Sequence, residues 1–217
     1  MGDRLADLGF VVLVPDVYYR TGGYEPFTLA TVFSDPTERQ RLMTLAGTLT
    51  PAMAVRDAGA FVDALASRPE VNPSPVGTVG YCMGGRMALI VAGHLGERIG
   101  AAASFHGGGL GVDGDPDSPH HRTAFVRAAV YVGAASDDDS FDAHQEDTLR
   151  RALEAAGVRY RVETYPALHG FAVADNPTYD EAAAVAHWHA LVEFFTTSLD
   201  HYGSSGNHRG GSGPTTR

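Results

Sequence analysis

The order of apolar patterns along the chain is the feature that constrains its fold most strongly. Short apolar runs of strand length alternate with longer stretches in which apolar residues recur every three or four positions. Strands that alternate with helices in this way form a mostly parallel sheet covered by helices on both faces. The 217 residues are enough for one such three-layer α/β domain with a sizeable core.

The predicted elements are short, and most are separated by polar or glycine-containing loops. The predicted strands are Gly9–Asp16, Val76–Cys82, Ala101–Gly107, Ala128–Ala135 and Tyr160–Tyr165. The predicted helices are Val55–Ala66, Met83–Leu95, Gln145–Ala156 and Ala182–Leu199. The first strand is a continuous apolar run, which is typical of a strand buried on both faces.

The C-terminal end differs in composition from the rest. Residues 203–217 are rich in Gly, Ser, Thr and Pro and lack the apolar residues that a core requires. We therefore predict one domain over residues 1–202, followed by a disordered tail over 203–217.

Composition excludes several classes of function. The net charge of −10 argues against nucleic acid as a partner, because phosphate binding requires a basic face. All sixteen basic residues are Arg, so a lysine nucleophile or Schiff base is excluded. No apolar run long enough to span a membrane and no secretion signal is recognised, which predicts a cytoplasmic protein without membrane partners.

Cys82 is the only cysteine of the chain, so it has no partner for a disulfide or a thiolate metal site. It lies between Gly80 and Gly84, where a predicted strand passes directly into a predicted helix. This Gly-x-Cys-x-Gly pattern is typical of a nucleophile elbow, although a buried structural thiol in a glycine-rich turn is the alternative.

An elbow has definite chemical consequences. The turn is so tight that small residues are expected at Gly80 and Gly84, and it lifts the sulfur clear of the sheet. At a helix N-terminus the dipole favours the thiolate form of Cys82. The backbone N–H of Met83 would then donate to an oxyanion that forms on a substrate.

An acid and a base follow the cysteine in the order that α/β-hydrolases use. Asp137–Asp139 come directly after one predicted strand, and His169 follows the last one. The carboxyl ends of parallel strands meet at one edge of a sheet, where ligands bind. The other histidines, including His120–His121 and the pair around Trp188, lack ligands at metal spacing, so no metal site is predicted.

Four segments together resemble the dienelactone hydrolase family: GYCMGG, PDVYYR, the Asp-x-x-Phe segment and LHGF. The resemblance covers nearly all of residues 1–200. It implies hydrolysis of a small-molecule lactone or ester without a cofactor, with Cys82 as nucleophile and His169 as general base. Asp138 is implied as the third member because Phe141 follows three positions later, whereas counting from the strand start favours Asp137.

The resemblance implies less about substrate binding than about the catalytic residues. Arg41 matches a family arginine that holds a substrate carboxylate, but Val173 stands where the second such arginine is expected, four residues after His169. The resemblance also implies further strands and a loop ahead of the segment matching Arg4–Asp16, including a strand beside Val76–Cys82. The expected fold is therefore an N-terminally truncated one that lacks a second oxyanion donor.

Alternative functions remain open at this stage. A carboxylesterase or a thioesterase of the same fold has the same pattern, and an inactive scaffold or thiol sensor would also retain the elbow. Glutamine amidotransferases use an elbow cysteine too, but they follow the histidine with a His-x-Glu pattern. Here Gly170 and Phe171 follow His169, which disfavours that class. The substrate and the oligomeric state are not predicted.

Overall fold

The computed structural model describes residues 1–72 and 75–204. Its strands are β1 Val76–Tyr81, β2 Ile99–Phe105, β3 Ala129–Asp137 and β4 Tyr160–Leu168. Its α-helices are α1 Gly2–Ala6, α2 Leu29–Val32, α3 Pro36–Ala46, α4 Pro51–Ala66, α5 Met83–Leu95, α6 Ala143–Ala155 and α7 Glu181–Ser204. Short 3₁₀ turns are Tyr19–Thr21, Gly96–Arg98, Pro119–Phe125 and Asp139–Phe141.

The four strands form one parallel sheet in the order β1-β2-β3-β4. The register pairs Tyr81 with Phe105, the last residues of β1 and β2, and pairs Phe105 with Gly133 of β3, which continues to Asp137. Each crossover between neighbouring strands contains helical structure, as parallel strands require. The predicted α/β class with a parallel central sheet is confirmed.

Helices cover both faces of this sheet and create two cores. On one face α7 packs against the strands, and Phe105, Tyr131 and Leu191 are fully buried there. On the other face α5 and α6 contribute a second cluster that includes Leu149 and Leu153. Burying a large apolar side chain stabilises the fold by about 2 kcal/mol. The sheet is therefore buried between two layers of helices.

The predicted strand at Gly9–Asp16 is wrong. Residues 10–16 have no regular secondary structure, and Val14 is 76% exposed where a strand buried on both faces would cover it. A strand requires ladder hydrogen bonds to a neighbour, and apolar composition alone does not supply them. Within residues 1–72 and 75–204, β1 is an edge of the sheet and no ladder reaches this segment. Phe10 and Val12 nevertheless pack against the core beneath α7.

The remaining predicted elements are present, with ends that differ by a few residues. The last strand continues to Leu168, and the final helix begins at Glu181 and runs to Ser204. The predicted disordered tail falls, from residue 205 onward, outside the described residues, so the domain boundary stays a prediction. None of the helices in the described part of the chain is both long and apolar enough to cross a bilayer.

Candidate active site

Cys82 lies in a sharp turn between the end of β1 and the start of α5. Its backbone has φ 54° and ψ −122°, a conformation that costs a residue with a side chain about 1–3 kcal/mol. Hydrogen bonds on both sides hold the turn. The N–H of Cys82 donates to the carbonyl of Phe105 at 3.0 Å, and its own carbonyl accepts from the N–H of Gly85 at 3.0 Å. The strained turn leaves the thiol exposed at the carboxyl edge of the sheet.

Glycine is required at two positions of this turn. A Cβ atom on Gly80 would lie 2.0 Å from the carbonyl oxygen of Gly84, and one on Gly85 would lie 2.5 Å from Oγ of Ser104. A Cβ atom on Gly84 would meet no atom within 4 Å among the described residues. The expectation of a small residue is therefore confirmed at Gly80 and wrong at Gly84. Gly84 contributes its backbone to the close contact, and Gly85 is the tightly packed residue that the pattern did not indicate.

His169 reaches Cys82 from the loop that follows β4. Its Nε2 atom lies 3.0 Å from Sγ of Cys82, and its Nδ1 atom lies 2.7 Å from Oδ2 of Asp138. The next residue, Gly170, has φ 93°, where a Cβ atom would collide with the side chain of Asn176 at 2.5 Å. The glycine after the histidine thus allows the chain to turn and present the imidazole to the sulfur.

Asp138 is the aspartate that contacts His169. Its Oδ1 atom accepts hydrogen bonds from the backbone N–H of Ser140 at 2.9 Å and from its hydroxyl at 2.6 Å, which leaves Oδ2 for the imidazole. The Asp138 side chain is only 4% exposed, whereas Asp137 is an exposed residue at the end of β3. The contact agrees with the expectation based on Phe141, which is buried beneath this turn.

The electrostatics favour an ion pair between Cys82 and His169. Desolvation opposes the thiolate, but the hydrogen bond and charge of His169, together with the N–H of Met83, hold the pKa of Cys82 below its ordinary value. The hydrogen bond to Cys82 chiefly, and the one to Asp138, raise the pKa of His169 to about 9 against the effect of desolvation. Burial opposes the charge of Asp138, but hydrogen bonds from Ser140 and His169 leave its pKa below the usual range.

A second histidine lies behind this group. His106 follows β2, is 1% exposed, and has φ 38°. Its ring centroid is 5.0 Å from that of His169, and neither ring nitrogen has a hydrogen-bond partner among the described residues. Burial, and then the charge of His169, lower the pKa of His106 to about 4. Its position directly after a strand is the one sequence signal that could have indicated it.

Arg41 is engaged in contacts of its own. Its guanidinium pairs with Glu38 at 2.6 Å, donates to the carbonyl oxygens of Glu25 at 2.7 Å and Pro26 at 3.2 Å, and stacks on the ring of Phe27 at 3.8 Å. It lines an open cleft of about 1090 Å³ whose lining does not include Cys82, His169 or Asp138. The structure therefore brings three of the predicted side chains together and leaves Arg41 outside that group. Its role in substrate binding stays a prediction.

Metal ligands do not cluster in the part of the chain that the structure describes. No group of three or more His, Cys, Asp or Glu side chains there is arranged to hold a metal ion. Asp113 lies 3.7 Å from both His120 and His144, but these residues do not form such a group.

Sequence comparisons with known proteins agree on one family. The model of the "Dienelactone hydrolase family" matches residues 1–199. A "Putative carboxymethylenebutenolidase" of Synechocystis sp. is 26% identical over 202 residues, which is 91% of this chain and 78% of that protein. A protein of the same name from Salmonella typhi is 28% identical over 199 residues, covering 88% and 68% of the two chains.

A solved structure supports the fold. The "Crystal Structure of Putative Dienelactone Hydrolase" from Klebsiella pneumoniae superposes with a TM-score of 0.73 at 24% identity. The match covers 89% of this chain and 78% of that one.

Proposed function

Because this chain belongs to the dienelactone hydrolase family and is a hydrolase of the ester or lactone type, we propose that it cleaves its substrate with Cys82 as nucleophile, His169 as general acid and base, and Asp138 as the group that orients His169. The observation that carries the proposal is the position of one imidazole. It lies within hydrogen-bond distance of both the Cys82 sulfur and the Asp138 carboxylate. That is the arrangement expected of an activated nucleophile, its base and an orienting group.

The first half of the reaction is acylation of Cys82. The thiolate attacks the carbonyl carbon, and the carbonyl π electrons move to oxygen, where the N–H of Met83 donates a hydrogen bond. When these electrons return, the bond to the alkoxy group breaks. The imidazolium of His169 gives its proton to the leaving alkoxide, and an acyl-thioester on Cys82 remains.

The second half is hydrolysis of that thioester. Neutral His169 takes a proton from water while the water oxygen attacks the acyl carbon. The sulfur leaves as the thiolate, which restores the ion pair with His169, and the acid product departs. The carboxylate of Asp138 fixes the tautomer of His169 and stabilises its positive form in both halves.

We propose further that the substrate is an uncharged ester or lactone. The guanidinium of Arg41 is already paired with Glu38 and two backbone carbonyls, so it has no free bidentate face for a substrate carboxylate. Val173, four residues after His169, is apolar and cannot hold one either. Moving a substrate carboxylate from water into a site without a positively charged partner costs free energy. A substrate that carries such a group would therefore bind more weakly than an uncharged one.

The test is hydrolysis of two matched butenolides, one neutral and one bearing a carboxylate, alongside p-nitrophenyl acetate. We expect Cys82→Ala and His169→Asn to abolish turnover, and His189→Asn, which alters an exposed histidine of α7, to retain it. Turnover that survives Cys82→Ala would disprove the nucleophile. A preference for the carboxylate-bearing lactone would disprove only the substrate class.

A further inference from the structure

Tyr18 lies in a turn that several hydrogen bonds hold in place. Its N–H donates to Oδ1 of Asp16 at 2.9 Å, and its carbonyl accepts from the N–H and the hydroxyl of Thr21, each at 2.9 Å. The turn continues into the 3₁₀ segment Tyr19–Thr21. The backbone at Tyr18 is therefore fixed, and the direction in which its side chain leaves the chain is fixed with it.

An ion pair ties this turn to α4. Arg20 donates two parallel hydrogen bonds to Asp57, Nη1 to Oδ2 at 2.6 Å and Nη2 to Oδ1 at 2.5 Å. Asp57 is only 8% exposed, and bidentate pairs of this kind are the most specific of ionic contacts. Tyr18 thus belongs to a segment anchored on the body of the domain.

The hydroxyl of Tyr18 points toward the N-terminus of α5. It lies 3.7 Å from Sδ of Met83, the residue directly after Cys82, and its ring meets Tyr24 edge-on with centroids 5.9 Å apart. A thioether is a weak acceptor, so this contact does not commit the hydroxyl proton. Tyr24 lines the open cleft that also contains Arg41, so Tyr18 contacts both a residue of that cleft and the residue that follows Cys82.

The charge of the nucleophile acts on Tyr18. Desolvation, then Tyr24, then the Cys82 thiolate raise the pKa of the Tyr18 hydroxyl above its ordinary value. The group therefore keeps its proton at neutral pH and can donate it in a hydrogen bond. A neutral donor beside the residue that follows the nucleophile suits the negative charge that develops on a carbonyl oxygen during attack.

We propose that Tyr18 is a further catalytic residue, whose hydroxyl donates a hydrogen bond to the substrate carbonyl oxygen while Cys82 attacks. This inference rests on the proposed function and adds a second donor beside the N–H of Met83. As the S–C bond forms, the carbonyl π electrons move to oxygen and the Tyr18 hydrogen bond shortens. When they return and the alkoxide leaves with the proton of His169, the hydrogen bond weakens again, and Tyr18 keeps its proton throughout.

The experiment compares two reactions of the same sulfur. Acylation of Cys82 by p-nitrophenyl acetate passes through an oxyanion, whereas alkylation by iodoacetamide does not. Because Cys82 is the only cysteine, S-acylation and S-alkylation, each measured on the peptide that contains Cys82, both report on one sulfur. We expect Tyr18→Phe, which retains the ring packing on Tyr24, to slow acylation about 100-fold. Alkylation should change by less than about twofold, because the thiolate itself is unaffected.

Tyr19→Phe is the matched control, because it removes a phenolic hydroxyl from the next residue of the same turn. Tyr19 is 53% exposed, and its hydroxyl contacts Asp57 at 3.5 Å. Both rates should stay unchanged in this variant. Unchanged acylation in Tyr18→Phe, or an equal fall of acylation and alkylation, would overturn the inference and leave the Cys82 mechanism intact. A native chain that is alkylated but never acylated would instead overturn the proposed function, and the inference with it.

Discussion

The Nε2 atom of His169 lies 3.0 Å from the Sγ atom of Cys82, although 87 residues separate the two along the chain. The contact forms because β1 and β4 both end at the carboxyl edge of one parallel sheet. Cys82 lies in the turn after β1 and His169 in the turn after β4, so their side chains meet at that edge. The hydrogen bond between the two side chains lowers the pKa of the thiol and raises the pKa of the imidazole, and both shifts favour a thiolate–imidazolium pair.

The pH dependence of Cys82 alkylation measures this pair directly. Because the thiolate is stabilised, the alkylation of the native chain by iodoacetamide should have its pH midpoint below the ordinary thiol pKa of about 8.5. In His169→Asn the imidazolium is absent, so the midpoint of the alkylation rate should rise toward that ordinary value. Equal midpoints in the two proteins would mean that His169 does not stabilise the thiolate.

The variants Asp138→Asn and Asp137→Asn test which aspartate orients His169. In Asp138→Asn the imidazolium loses its carboxylate partner at 2.7 Å, so His169 should bind its proton less tightly and Cys82 should be less ionised. We expect ester turnover to fall by about 10⁴-fold, as in enzymes whose orienting aspartate is replaced. Asp137→Asn alters an exposed carboxylate and should retain activity. The reverse ranking of the two variants would assign the role to Asp137.

Much of this site could be predicted from local sequence, because each of its members follows a strand. The Gly-x-Cys pattern indicates a turn that requires glycine two residues before the cysteine, and the collision expected at Gly80 shows why. The choice between Asp137 and Asp138 depends on Phe141, whose burial fixes the turn that directs Asp138 toward His169. These are short-range constraints, which a sequence pattern records well.

Long-range relationships could not be predicted in the same way. The apolar run at Gly9–Asp16 has the composition of a strand, yet strand formation depends on a neighbouring strand to pair with, which the run itself does not encode. Arg41 matches a substrate-binding arginine by position, and its ion pair with Glu38 is local to α3, whereas its hydrogen bond to the carbonyl of Glu25 depends on how the loop folds over α3. His106 has no distinguishing motif, and its contact with His169 arises only from the sheet geometry.

The glycines of the elbow differ in the space that surrounds them, and stability measurements can show it. Gly80→Ala would place a Cβ atom 2.0 Å from the backbone oxygen of Gly84, so strand and helix must separate. We expect the free energy of unfolding to fall by at least about 3 kcal/mol, if the variant folds at all. Gly84→Ala meets open space inside α5 and should alter stability by no more than about 1 kcal/mol. Urea unfolding followed by circular dichroism compares the two, and similar losses would contradict the close approach of Gly80 to the backbone of Gly84.

The buried His187 should make stability depend on pH below neutrality. Its Nδ1–H donates to the carbonyl of Ala184 at 2.7 Å, so Nε2 is unprotonated and accepts from the hydroxyl of Tyr81 at 3.0 Å. Burial lowers the pKa of His187 to about 4. Between that value and the unfolded value of about 6.5 the unfolded chain binds more protons than the folded one, so the folded state loses stability as the pH falls.

The loss of stability that His187 causes can be isolated by comparing the free energy of unfolding at two pH values in the native chain and in a variant. From this histidine alone we expect the free energy of unfolding to fall by about 2 kcal/mol between about pH 7.5 and pH 5. His187→Phe removes the titrating group, so its own loss over the same range should be smaller than that of the native chain by this amount. His189→Gln, which alters an exposed neighbour on α7, is the matched control. Comparing each protein with itself at two pH values removes any constant cost of the substitution. If the free energy of unfolding of His187→Phe depends on pH as that of the native chain does, His187 is not a source of the acid sensitivity.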